Sequence, residues 1–176
     1  MSILDKIFGF GGGRPADPAT GDTDTVRKIV ARLEALPVER ARFLAAFAYT
    51  LSRVAHADLD ISAGETREME RIVREVGGLP EAQAVLAVEI AKSQARLFGG
   101  TETFLVTREF KEVSSEAARR RLLDCLFAVS AADGGISGAE EAQVRQIASE
   151  LGFSHRDYID ARVAWNEHRD VIRGLR

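Results

Sequence analysis

Two nine-residue segments, 75 residues apart, place carboxylates and a serine at matching positions. The first is Ala57-Asp58-Leu59-Asp60-Ile61-Ser62-Ala63-Gly64-Glu65; the second is Ala132-Asp133-Gly134-Gly135-Ile136-Ser137-Gly138-Ala139-Glu140. Hard divalent cations such as Ca²⁺ select clustered carboxylate and carbonyl oxygens in flexible loops. Asp58, Asp60 and Glu65 in the first segment, and Asp133 and Glu140 in the second, are therefore candidate ligands for Ca²⁺ or another divalent cation. Ser62 with Glu65, and Ser137 with Glu140, also fit the S-x-x-E capping box. In that motif serine accepts a hydrogen bond from a free first-turn amide, and glutamate reaches back to the serine amide. Each such cap is worth about 0.5–2 kcal/mol.

Capping accounts for the serines and glutamates as structural caps. It does not account for Asp58 and Asp133. Each follows an apolar helical stripe near a helix C-terminus, where the macrodipole disfavours an anion by about 0.3–1 kcal/mol. An Asx-turn, in which Asp bonds local turn amides, is the competing explanation. An EF-hand is excluded. From Asp58 its glycine position falls on Ala63 and its terminal glutamate on Met69. From Asp133 the third position is Gly135 and the twelfth is Val144.

The match extends beyond the two turns without a gap. Ala57/Ala132, Ile61/Ile136, Ile72/Ile147, Glu75/Glu150 and Gly77/Gly152 are identical pairs. The stripe Met69, Ile72, Val73, Val76 reappears as Val144, Ile147, Ala148, Leu151, and Phe47, Leu51, Val54 as Leu122, Leu126, Val129. Each unit reads as a helix, a short acidic turn and a second helix.

The remaining reactive side chains point elsewhere. Cys125, the one cysteine, excludes an intramolecular disulfide framework, and among Leu122, Leu123 and Leu126 it reads as a buried, inert thiol. His56, His155 and His168 lack the H-E-x-x-H spacing. Gly9-Phe10-Gly11-Gly12-Gly13-Arg14 is not a dinucleotide loop, because Arg14 replaces the third glycine and no strand precedes it. Arg119-Arg120-Arg121 reads as a solvated helix face and Trp165 as a core anchor. No convergent nucleophile, base and oxyanion donors are legible, so no enzymatic activity is expected.

These residues need a scaffold, and composition says which kind. The chain has 176 residues, 45% hydrophobic and 29% charged, enough to bury one domain's core. Its net charge of −3 argues against a nucleic-acid partner. No run reaches the roughly 18–20 apolar residues of a membrane span, and no secretory leader is visible. A cytoplasmic location follows as the expectation. All four prolines lie at segment edges and none follows Pro80. With no sustained period-two alternation, the expected fold is all-α, a compact bundle of seven or eight helices with short loops.

Residues 1–23 read as an N-terminal tail and linker, and 24–176 as the helical domain. Ile3, Leu4, Ile7 and Phe8 in the tail recur at helical spacing. That stripe fits docking on a protein or weak attachment to a membrane surface through residues 1–10, at its inner face. Gly9 to Gly21 reads as flexible linker.

The motif Ala-Asp-Gly-x-Ile-Ser-x-x-Glu, nearly intact at Ala132–Glu140 and degenerate at Ala57–Glu65, resembles that of the TerB-like (tellurite-resistance TerB) family. The duplicated helix-turn-helix spacing resembles it too, across most of residues 24–172. The resemblance implies one all-helical domain without catalytic activity, divalent-metal binding at an acidic surface, and a role in tellurite resistance or stress complexes. Asp133, Ser137 and Glu140 match the motif directly, as do Asp58, Ser62 and Glu65, but Leu59 stands where the first turn should have glycine. The chain is also similar to the N-terminal domain of DjlA-type co-chaperones, yet it lacks the His-Pro-Asp of their J domain.

Two functions follow as expectations. One is a cation-binding, stress-response domain acting with protein partners. The other is a metal-independent helical interaction module recruited by its N-terminal tail.

Overall fold

The computed structural model describes residues 20–55, 62–93, 103–132 and 134–169. Among them are eight α-helices and a short 3₁₀ turn: α1 (Thr20–Glu34), α2 (Val38–Ser52), α3 (Ala63–Glu75), α4 (Glu81–Lys92), α5 (Thr103–Val113), α6 (Glu116–Ala132), α7 (Gly138–Glu150), α8 (His155–Val163) and Asn166–His168. The described residues hold no strand; a single isolated β-bridge joins Ile136 to Arg169. The protein is an all-α bundle.

The repeat is visible in the helix boundaries. Shifted by 75 residues, Ala63–Glu75 falls on Gly138–Glu150 to the residue. Both second helices begin at a serine in extended conformation, Ser62 (φ −62°, ψ 162°) and Ser137 (φ −68°, ψ 160°). Both also carry a complete capping box. Their ends differ. Helix α7 stops in a Schellman arrangement around Gly152 (φ 88°), with the Phe153 amide donating to Ala148 O at 3.0 Å. In the first unit the left-handed residue comes one position later, at Gly78 (φ 68°). Gly77 is there for space instead: a Cβ would stand 2.4 Å from Val73 O and 3.1 Å from Cys125 Sγ.

Helix α2 occupies the middle of the bundle. From Leu44 to Ser52 every residue is buried, and α1, α4, α5 and α6 all pack against it. Ala45, Ala46 and Ala48 keep its surface narrow enough for such neighbours on all sides. The corresponding helix of the second unit, α6, is likewise buried from Leu122 to Ser130 apart from half-buried Asp124. Hydroxyls within these buried stretches bond their own helix: Thr50 donates to Ala46 O and Ser130 to Leu126 O, each at 2.9 Å. Phe43, Phe47 and Phe110 form an aromatic cluster between α2 and α5, with ring centroids 5.2–6.1 Å apart.

Proline acts as a helix start. Pro37 and Pro80 precede α2 and α4, and their carbonyls accept the first helical bonds from Ala41 and Ala84 at 2.9 Å. Two expectations change. Helix α1 begins at Thr20, inside the stretch read as linker. The arginine run is also not one solvated face. Arg119 donates to the carbonyls of Lys111 and Ser114, Arg120 faces Asp124 at 3.6 Å, and Arg121 crosses Gly78. The amphipathic tail of residues 1–10 lies outside the described residues.

Candidate functional site

The second acidic turn can be followed from Gly134 onward. After α6 ends at Ala132, the Gly134 amide donates to Ala131 O at 3.2 Å and Gly134 takes φ 102°, a conformation that L side chains rarely adopt. Ile136 then turns its side chain into the core at 1% exposure. Its amide donates to His168 O at 2.7 Å, so the C-terminal stretch lies alongside the turn. Ser137 follows as the helix cap. Its amide and its hydroxyl both donate to Glu140 Oε2, at 2.8 and 2.6 Å, while the Glu140 amide donates back to Ser137 Oγ at 3.2 Å.

The first unit repeats the cap in a more exposed setting. The Ser62 amide donates to Glu65 Oε2 at 2.7 Å, and the Glu65 amide to Ser62 Oγ at 3.2 Å. The Ser62 side chain first, and then its amide, hold the Glu65 carboxyl below its ordinary pKa. Thr66 donates to Ser62 O, and Lys92 from α4 donates to Thr66 Oγ1, each at 2.9 Å. Position 66 corresponds to 141, where the second unit carries a glutamate.

That glutamate anchors the second turn. Glu141 is buried at 6% exposure and meets two arginines. Arg169 grips it with two bonds, Nε to Oε2 at 2.8 Å and Nη2 to Oε1 at 2.9 Å, and Arg162 adds Nη1 to Oε1 at 2.9 Å. Burial by itself would raise the Glu141 pKa; the hydrogen bonds and charges of Arg169 and Arg162 outweigh it and hold the carboxyl low. The clamp and the Ile136–His168 bond fix the 3₁₀ turn and Arg169 beside the turn that follows α6.

The structure brings Glu65 and Glu140 to the N-termini of α3 and α7, each with one carboxylate oxygen in its cap. Among the described residues no donor reaches the other oxygen, Oε1, of either glutamate. Asp58, Asp60, Asp133 and His56 lie outside the described residues. No group of three or more His, Cys, Asp or Glu side chains among the described residues is placed to hold a metal ion. The available donor is a free carboxylate oxygen on a rigid helix start, a hard ligand of the kind Ca²⁺ takes.

Other sequence expectations are met directly. Cys125 is fully buried, and desolvation, with some help from neighbouring Asp124, pushes its thiol up to about 12. His155 and His168 are exposed, and Trp165 is half-buried against the core. A third capping box, Ser154 with Asp157, starts α8 and escaped notice because Asp replaces the Glu of the motif. No described helix is long and apolar enough to cross a membrane.

A family model described as "Tellurite resistance protein TerB" matches residues 43–163, more than half of the chain. No curated protein and no solved structure matches it.

Proposed function

The chain belongs to the TerB family, and we propose that it is a non-enzymatic domain that binds a divalent cation at its acidic turns. By donor chemistry the cation is Ca²⁺, and the second turn is the principal site. The supporting observation is the division of labour within Glu140: Oε2 closes the cap on Ser137, while Oε1 meets no donor among the described residues. A cap alone does not need the aspartate four residues before Ser137, and Asp133 recurs as Asp58 in the other unit.

The second turn is also the better supported. The bond from Ile136 to His168 O, together with the Glu141 clamp, holds it against the C-terminal stretch. Such anchoring reduces the entropy lost when a cation orders its ligands. On this reading the domain works in the cytoplasm with protein partners, in a stress response of the tellurite-resistance type. Recruitment to a membrane surface through residues 1–10 would add to that role.

Thermal unfolding tests the reading. Saturating Ca²⁺ raises the melting temperature of the chelator-stripped protein, because a ligand bound only to the native state stabilises it by mass action. Asp133→Asn removes the increase. Melting that is unchanged by Ca²⁺, Mg²⁺, Mn²⁺ and Zn²⁺ alike overturns the reading.

A further inference from the structure

A cleft of about 260 Å³ opens where the end of α3, the start of α6 and the flank of α2 meet. Phe43, Phe47, Leu79 and Val113 give it apolar walls. Arg40 and Arg121 also line it, and no acidic residue does.

Neither guanidinium has a carboxylate partner among the described residues. Arg40 donates through Nε to Gln83 Oε1 at 2.8 Å and through Nη2 to the same neutral oxygen, and it stacks 4.8 Å above the Phe43 ring. Burial without a counter-charge lowers its pKa from the usual arginine value. Arg121 lies across Gly78, where a Cβ would stand 2.8 Å from Nη1. Its neighbours contrast with it: Arg119 caps carbonyls and Arg120 faces Asp124. Ser115, which caps the first turn of α6 through a 3.2 Å bond from the Ala118 amide, also lines the cleft. The positive end of α6 therefore faces the same space.

We propose that this cleft binds a phosphate monoester carried on a small apolar or aromatic group. Two separate guanidiniums match the double charge of a phosphate monoester better than the single charge of a carboxylate. The phenylalanine and leucine walls take the apolar body. The volume is below that of a drug-sized pocket, which selects a small molecule over a polymer segment. This site is independent of the cation-binding turns and shares no residue with them.

The test is a titration of the full chain, freed of divalent cations, with phenyl phosphate, followed by amide chemical shifts. The expected result is saturable shifts at Gly77, Gly78, Leu79 and Ser115. Affinity falls by about tenfold or more in Arg121→Glu, as loss of a charge-assisted contact implies. Arg121 is exposed and makes no described bond, so that variant folds; Arg40→Gln is the second variant. Shifts that do not saturate overturn the proposal. So does saturable binding unchanged in both variants, and so does phenol binding as tightly as phenyl phosphate.

Discussion

Arg53, just past the end of α2, and Glu150, the last residue of α7, form an ion pair with side chains only 5% and 9% exposed. The contact is two-pronged, Nη1 to Oε2 at 2.5 Å and Nη2 to Oε1 at 3.3 Å, and Nη1 also donates to Thr107 Oγ1 at 2.8 Å. It ties the first helix of one repeat unit to the second helix of the other, with α5 between them. The repeat counterpart of Glu150 is Glu75, whose carboxylate is half-exposed and pairs with Arg71 at 2.6 Å on its own helix. The same residue at the same helical position therefore does two different jobs.

Substitutions at the two positions should differ accordingly. Glu150→Gln leaves the Arg53 guanidinium buried without its counter-charge, a loss of about 3–5 kcal/mol. Glu75→Gln removes a solvent-screened pair within one helix and should change stability far less. Urea unfolding of both variants against the parent checks the ranking.

Acid should unfold the protein through Glu141 and Glu150. For Glu150, as for Glu141, burial opposes the charged form and the arginine contacts outweigh it, leaving the pKa below the ordinary carboxylate value. A depressed folded pKa contributes stability that is fully present above the unfolded value, about 4.3 for glutamate, and is lost as pH falls through the folded one. Unfolding free energy measured from pH 7 down to pH 3 should therefore drop below about pH 4.3. Glu141→Gln should make that drop shallower while lowering stability at neutral pH.

Glycine substitutions separate crowding from helix propensity. Gly77→Ala places a methyl 2.4 Å from Val73 O and 3.3 Å from Phe47 Cζ, and should cost about 1–3 kcal/mol by overpacking. Gly138→Ala meets nothing within 4 Å at the first position of α7 and should stabilise by about 0.4–1 kcal/mol. Thermal melts of the two variants should shift in opposite directions.

The buried thiol gives a kinetic check. Cys125 has no exposed surface and its pKa is pushed up to about 12, so little thiolate is present or reachable at pH 8. Alkylation by iodoacetamide should be slow in the native protein and fast in urea. Fast native labelling would contradict the packing described.

Local features of the fold were readable from sequence because they rest on local chemistry. The S-x-x-E boxes and the period-3.6 stripes mark α3 and α7 at both starts, and the 75-residue offset then carries one helix onto the other. Contacts between distant segments were not readable. Arg53 and Glu150 are 97 residues apart, and no local pattern marks either as buried. Glu141 was missed for a related reason. The repeat comparison favours identical pairs, and position 141 differs from its counterpart Thr66, so the anchor of the second turn lies where the units diverge. Ser62, Ser137, Glu65 and Glu140 were legible as caps. The cation role proposed for Glu65 and Glu140 also calls on Asp58, Asp60 and Asp133, which lie outside the described residues.

The central claim is that Asp133 and the free oxygen of Glu140 hold a cation while the cap serves only to place them. Calorimetric titration of chelator-stripped protein with Ca²⁺ tests it most directly, with Asp133→Asn and Ser137→Ala alongside. The account predicts saturable binding that Asp133→Asn abolishes. Ser137→Ala should lose about 0.5–2 kcal/mol of stability yet retain binding. Absence of saturable heat in the parent protein, or binding unaffected by Asp133→Asn, would contradict it and leave the repeated residues as caps and turns.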